Sequence, residues 1–101
     1  MKSENKEMNY TERCTTASKE QGIDNIVKAL LDLGIKATSE QTGGFTMCAY
    51  VELKDNKYIY ANPYGASVYD ENDYLDDVQQ YDEPTAPETI AQAIKNYIDN
   101  N

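Results

Sequence analysis

The side chains best suited to chemistry are concentrated in residues 70–83, which contain carboxylates and tyrosines but no lysine or arginine. Carboxylates can act as acids and bases, coordinate hard cations, or bind basic partners. The segment has seven carboxylates and two tyrosines: Asp70, Glu71, Asp73, Tyr74, Asp76, Asp77, Tyr81, Asp82 and Glu83. No base occurs between Lys57 and Lys95, so the negative charge of this segment has no neighbour in the sequence to neutralise it.

Enzymatic roles find little support in the rest of the sequence. The chain has no histidine, which excludes imidazole acid–base catalysis and histidine metal ligands. Cys14 and Cys48 cannot form a structural zinc site by themselves, and Cys48 has no evident base to activate it as a nucleophile. Paired glycosidase carboxylates would need a cleft built by a larger scaffold. We therefore predict no catalytic residue and no cofactor.

Calcium is the metal alternative that the segment leaves open. Its oxygen donors are of the right kind: Asp70, Asn72, Asp73, Asp76 and Asp77. The spacing of an EF-hand loop and its closing glutamate are absent, however. A calcium-binding protein or small enzyme is thus the third hypothesis, and the prediction for a metal site is none.

The charge distribution favours a protein partner instead. Residues 1–57 contain nine acids and eight bases, whereas residues 58–101 contain nine acids and one base, a net charge of −8. Such a field repels nucleic acid and anionic membranes and attracts basic proteins. Carboxylates spaced along a rigid surface can imitate phosphates, and tyrosines add apolar contact. The leading hypothesis is a non-enzymatic inhibitor or accessory protein that binds a basic, nucleic-acid-binding host protein through residues 70–83. The alternative is an interaction module whose acidic loop only provides solubility.

The remaining composition predicts a cytoplasmic protein, monomeric or a small homo-oligomer. Two cysteines without close spacing are typical of thiols in a reducing compartment. No apolar run approaches the length of a membrane span, and the N-terminus lacks the apolar core of a signal peptide.

Residues 1–17 have no apolar periodicity and are predicted to be a flexible tail, followed by a single domain over residues 18–101. A helix should begin at Ser18, which forms a capping box with Gln21, and end at Gly34. Its apolar stripe includes Ile26 and Leu30. A C-terminal helix should follow a second capping box, Thr85 with Glu88.

Strands are predicted between the helices, at residues 35–39, 45–53 and 58–62, with a short edge strand at 66–69. Residues 70–84 are expected to be an acidic loop in which Leu75, Val78 and Tyr81, spaced at three, could form one helical turn. The predicted fold class is α+β, a small antiparallel sheet of three or four strands with both helices on one face. Ile26, Leu30, Val51, Ile94 and Ile98 are expected to be buried together.

The register of the central hairpin decides which side chains share a face. A two-residue turn at Asp55 and Asn56 would put Tyr58 and Tyr60 on the core face, whereas a three-residue turn ending at Lys57 would send them outward with Tyr50. We expect the second arrangement, because it separates aliphatic side chains from hydroxyl-bearing rings. Tyr50, Tyr58 and Tyr60 then form a secondary candidate surface.

Residues 23–69 resemble small uncharacterised proteins encoded by bacteriophages. The resemblance lies in a helix and short strand, then Thr42-Gly43-Gly44 leading into a strand, then Lys57-Tyr58 opening a strand that ends in the turn at residues 63–65. It implies a phage or mobile-element origin. The acidic, tyrosine-rich C-terminal half looks, in composition, like DNA-mimic inhibitors such as anti-CRISPR proteins and uracil-DNA glycosylase inhibitors.

Overall fold

Five antiparallel strands and two helices form the described part of the chain, residues 22–43, 46–71 and 73–100 of a computed structural model. The elements are α1 (Ile23–Asp32), β1 (Thr38–Gly43), β2 (Thr46–Glu52), β3 (Lys57–Asn62), β4 (Gly65–Asp70), β5 (Asp73–Gln80) and α2 (Pro87–Asp99). The sheet order is β1-β2-β3-β4-β5, and each strand is antiparallel to its neighbour in sequence. The fold class is α+β, as predicted. The predicted tail at residues 1–17 lies outside the described residues. The helix start predicted at Ser18 is wrong, because α1 begins at Ile23 and its N-cap residue, Gly22, has a left-handed conformation with φ 76°.

The acidic segment differs most from the prediction, since much of it is a strand and not a loop. The sheet has five strands rather than three or four, because β5 pairs with β4 and makes β4 an interior strand. Glu71 takes a left-handed conformation, φ 57°, in the tight turn between them. The pairing leaves two extra residues on β5, Leu75 and Val78. These bulges put the apolar residues three apart and disguise the two-residue period of a strand.

Helix α1 presents one apolar stripe to the core and ends where its glycine predicts. Gly34 has φ 81° and donates its N–H to the carbonyl of Leu31 (3.0 Å), while Ile35 donates to the carbonyl of Leu30 (2.9 Å). This pair of bonds is a Schellman cap, which satisfies the last carbonyls of the helix. The predicted helix end is therefore confirmed.

Helix α2 begins differently from the prediction. Ala86 occupies the N-cap position and makes no side-chain cap, so the capping box of Thr85 and Glu88 is wrong. The Thr85 hydroxyl donates instead to the carbonyl of Glu83 (3.0 Å). Pro87 takes the first helical position, where a missing N–H costs nothing because no helical acceptor is available.

One hydrophobic cluster joins the two helices to strands β2, β3 and β4. The predicted core residues Ile26, Leu30, Val51 and Ile94 are all buried in this cluster, and Ile98 packs half-buried against it. Ala49, Ala61 and Ala66 lie opposite one another on the three strands and form a row of small side chains within it. That row leaves room on the sheet for the bulky side chains of the helices, since interiors pack at nearly constant density.

The turn between β2 and β3 combines features of both predicted alternatives. Lys57 donates its N–H to the carbonyl of Lys54 (3.2 Å) across Asp55 and Asn56. Both of these have positive φ, 61° and 66°, as a mirror-image two-residue hairpin turn requires. Leu53 then donates to the carbonyl of Lys57 (2.8 Å), so β2 contributes one residue more than β3 before regular pairing starts.

That extra residue sets the facing of the whole sheet. Val51 pairs with Ile59 on the core face, whereas Tyr50 pairs with Tyr60 on the opposite face. The expectation that Tyr50, Tyr58 and Tyr60 share the face turned away from the aliphatic core is thus confirmed. The reason is the one anticipated: this register segregates aliphatic side chains from phenols.

Candidate functional site

Five tyrosines lie on the side of the sheet opposite the core, and we call this surface the tyrosine face: Tyr50, Tyr58, Tyr60, Tyr69 and Tyr74. Strand register aligns them in two cross-strand rows. The first row runs from β2 to β5 as Glu52, Tyr58, Tyr69 and Tyr74. The second runs as Tyr50, Tyr60, Ser67 and Asp77. Each row therefore has a carboxylate at one end.

The rings contact one another across all four strands. Tyr58 and Tyr69 are stacked, with centroids 5.6 Å apart and an interplanar angle of 11°. Tyr60 meets Tyr58 edge-on at 5.1 Å, and Tyr74 meets Tyr69 edge-on at 6.2 Å. Tyr50 lies 5.5 Å from Tyr58 and 5.9 Å from Tyr60. All these separations fall within the range of favourable aromatic pairs, so the rings hold each other in place.

A hydrogen bond fixes one of the phenols further. The hydroxyl of Tyr58 donates to the backbone carbonyl of Glu71, which ties β3 to the turn before β5. The pKa of Tyr74 is raised, chiefly by its interaction with the Asp77 carboxylate. Tyr74 is 57% exposed, and the other four tyrosines are partly exposed. The tyrosine face is thus both ordered and accessible to solvent.

Asp77 is the most firmly held carboxylate of the tyrosine face. Its Oδ1 accepts hydrogen bonds from the hydroxyl of Ser67 (3.0 Å) and from Nε2 of Gln80 (3.3 Å). Gln80 Nε2 also donates to the Ser67 hydroxyl (3.0 Å), which closes a small network beside Tyr74. A carboxylate can accept about four hydrogen bonds, so Asp77 retains capacity for an incoming donor.

Two further carboxylates, Glu40 and Glu52, border the tyrosine face on the side away from Asp77. They contribute to the raised pKa values of the nearby phenols. Burial raises the pKa of Tyr50, and the charges of Glu52 and Glu40 raise it further. Burial is also the largest cause of the raised pKa of Tyr60, followed by Tyr58 and Glu40. A negative charge on a phenol is disfavoured here because the surroundings are already negative.

No lysine or arginine points from the described strand residues onto the tyrosine face. Lys57, which is on β3, alternates with Tyr58 and therefore lies on the core side of the sheet, opposite Asp70 of β4. Lys54 lies in the hairpin turn. Among charged side chains of the described strands, the tyrosine face therefore has carboxylates and no base, while Lys36 and Lys54 line a cavity beside Tyr50 and Glu52 at its edge.

The structure divides the predicted acidic segment between two sides of the sheet. Tyr74 and Asp77 join the tyrosine face, whereas Asp76 pairs with Val68 on the core side of the strand and remains exposed there. Asp73 pairs with Asp70, also on that side.

The remaining members of the predicted segment flank the sheet. Glu71 is exposed in the turn before β5, and Asp82 and Glu83 are exposed in the connection to α2. Tyr81 packs against the hydrophobic cluster and donates its N–H to the carbonyl of Tyr64 (2.9 Å), so its ring contributes to folding. Of the two tyrosines in the predicted segment, Tyr74 is therefore the one that lies on the tyrosine face.

Sequence reasoning missed Tyr69, which contacts three other rings of the tyrosine face. The sequence did contain a signal for Tyr69, because residues 65–70 follow β3 after a two-residue turn and so pair with it as a hairpin. Carrying the alternation across the turn at Pro63 and Tyr64 would have placed Tyr69 opposite Tyr58.

Within residues 22–43, 46–71 and 73–100, no three acidic or cysteine side chains are grouped so that they could hold a metal ion. Neither described helix has the length and apolarity needed to cross a membrane. No protein-family model, curated protein or solved structure matches the chain.

Proposed function

We propose that this protein is a non-enzymatic inhibitor or accessory protein, of phage or mobile-element origin, acting in the cytoplasm of a bacterial host. Its tyrosine face docks on a basic surface of another protein whose own ligand is nucleic acid. The observation that carries the proposal is the combination of five contacting tyrosine rings, open to solvent, with carboxylates as their charged neighbours.

The rings supply the contact area. Tyrosine is enriched at protein interfaces because it buries a large, rigid surface at low conformational cost while its hydroxyl bonds to polar groups. Here the five rings are already ordered by their mutual contacts and by the hydrogen bond of Tyr58. Little side-chain freedom remains to be lost when a partner binds.

The carboxylates supply the choice of partner. Glu40, Glu52 and Asp77 border the tyrosine face, and the chain as a whole has a net charge of −9. Nucleic acid is repelled by this field, whereas a basic groove is attracted, so the acids take the place of phosphates. Asp70, Asp73 and Asp76, on the other side of the sheet, strengthen attraction at longer range without contact.

Competition with nucleic acid is the decisive experiment. The tagged protein is used to capture host proteins at low salt, and each captured protein is purified and titrated with this chain and with duplex DNA. The expected result is mutually exclusive binding that weakens steeply with salt. A partner that binds both at once, or with an affinity indifferent to salt, contradicts the proposal.

Adjacent aspartates provide a matched pair of variants for the same assay. Asp76→Asn and Asp77→Asn remove the same charge from neighbouring positions, but only Asp77 lies on the tyrosine face. Asp77→Asn should weaken binding several-fold, whereas Asp76→Asn should mainly slow association.

Tyrosines provide a second pair. Tyr69→Leu removes a central ring, while Tyr64→Leu removes a ring that is 52% exposed in the turn between β3 and β4. If Tyr69→Leu and Asp77→Asn both bind the partner like the parent protein, the acids serve solubility alone and the proposal is wrong.

A further inference from the structure

We infer that the tyrosine face selects arginine over lysine in the basic surface it binds, and that Tyr74 with Asp77 forms one arginine-binding position. This inference rests on the proposed function and narrows the chemistry of the partner. It follows from the juxtaposition of an exposed ring and a restrained carboxylate at the same end of the sheet.

The first component of the proposed arginine-binding position is an exposed aromatic ring. Tyr74 stands edge-on to Tyr69, with an interplanar angle of 76°, and more than half of its surface is exposed. An aromatic ring face attracts cations, and arginine is the more frequent partner because its planar guanidinium can stack on the ring.

The second component of the position is a restrained carboxylate. Asp77 lies on the same face of β5 as Tyr74 and is held by Ser67 and Gln80, so its position is set before any ligand arrives. A guanidinium lying against Tyr74 can direct its N–H groups at the remaining acceptor capacity of Asp77. A lysine ammonium is a hydrated point charge without a plane to stack, so it gains less from this combination.

A second position of the same composition lies at the opposite end of the row. Glu52 pairs with Tyr58 on β2 and β3, while Tyr74 is on β5. Three strand spacings separate the two ends, roughly 14 Å. An extended peptide with arginines four residues apart spans about the same distance, so such a segment can engage both ends.

The probes are two synthetic glycine–serine peptides with four basic residues each, all arginine in one and all lysine in the other, placed at every fourth position. Binding to the full-length protein is measured by calorimetry at low ionic strength. The arginine peptide should bind about three- to fivefold more tightly, the ratio that an exposed cation–aromatic contact provides. Tyr74→Leu should clearly lower this ratio, since only the position at Glu52 and Tyr58 then remains, and it should weaken the arginine peptide more than the lysine peptide. Tyr64→Leu, at an exposed tyrosine away from the tyrosine face, should keep the ratio.

Failure of this inference is distinguishable from failure of the proposed function. Equal affinities for the two peptides in the parent protein, or an arginine preference that is undiminished in Tyr74→Leu, would overturn arginine selection and leave charge-driven binding in place. Binding of neither peptide at low ionic strength would overturn both. Circular dichroism of each variant excludes misfolding as the cause of any loss.

Discussion

The two faces of this sheet are made from alternate residues of the same strands, yet they obey different constraints. On the core face, the central positions of β2, β3 and β4 are alanine, valine and isoleucine, each at most 2% exposed. These side chains share one hydrophobic cluster with the helices, so close packing constrains their size. The opposite face has five contacting tyrosines, and no described strand residue adds a base to it. We propose that these rings serve binding.

Small residues sharpen the contrast. The row Ala49, Ala61 and Ala66 is matched on the reverse side by the neighbouring row of Tyr50 and Tyr60. A folded sheet needs the first row to be small, whereas polar or β-branched residues would serve the second equally well. Experiments that damage one face while sparing the other therefore test whether folding and binding are separable here.

Truncation of a core residue should have the largest effect. Leu30→Ala removes a fully buried side chain and should lower the free energy of unfolding by roughly 2–4 kcal/mol. Leu31→Ala is the matched control, because the adjacent Leu31 is 52% exposed, and it should change stability by about 0.5 kcal/mol at most. Denaturant unfolding measures both, and equal losses would contradict the assignment of the core.

A backbone collision should have the next largest effect and should reach the tyrosine face. Gly65 has φ 140°, and a Cβ there would collide with the backbone oxygen of Gln79 on β5. We expect Gly65→Ala to cost about 1–3 kcal/mol and to loosen β5, which holds Tyr74 and Asp77. Gly34→Ala, at φ 81° but in open space, should cost about 1 kcal/mol and leave β5 intact.

Hydrogen exchange distinguishes these two glycine variants. Amides of β5 should exchange faster in Gly65→Ala, whereas β2 and β3 should keep their protection. Unchanged exchange in β5 would mean that the strand can move aside without losing its pairing.

Removal of charge from β5 should change stability only slightly. Replacing Asp73, Asp76 and Asp77 together by asparagine keeps their hydrogen-bond acceptors and relieves repulsion, so unfolding should become more costly by up to about 0.5 kcal/mol. The same variant should bind its partner more slowly and with a flatter salt dependence. A destabilised variant would indicate that these carboxylates have a structural role beyond the hydrogen bonds that Asp77 accepts from Ser67 and Gln80.

Alkaline pH should produce the smallest and most gradual effect. The pKa values of Tyr50, Tyr60 and Tyr74 are raised above 10.0, so the folded protein keeps protons that the unfolded chain releases. Stability from this source is complete below about pH 10 and is lost as pH rises through the folded pKa values. Unfolding measured across this range, with Tyr60→Phe as the variant that should lose less, checks the expectation. Tyrosinate absorbance that appears in a single step at the ordinary pKa would contradict it.

Sequence reasoning reached the elements whose periodicity is regular. The stripe of α1, its end at Gly34 and the alternation of β2 and β3 are local patterns, and they sufficed for the core and for three of the five tyrosines. β5 escaped because bulges at Leu75 and Val78 break its alternation. Tyr69 could have been placed by carrying the alternation of β3 across the turn at Pro63 and Tyr64. The position of Asp77 depends on the pairing of β5 with β4 and on its bulges, a long-range property that no local window contains.

The connectivity of the sheet has a consequence for how the chain folds. Every strand pairs with the strand next to it in sequence, so no pairing requires the closure of a long loop. Such low contact order favours rapid folding, with the sheet growing outward from a central hairpin. The contact between α1 and α2 joins the two ends of the described chain and has the largest sequence separation. We expect it to form late, so substitutions at Ile94 should accelerate unfolding more than they slow folding.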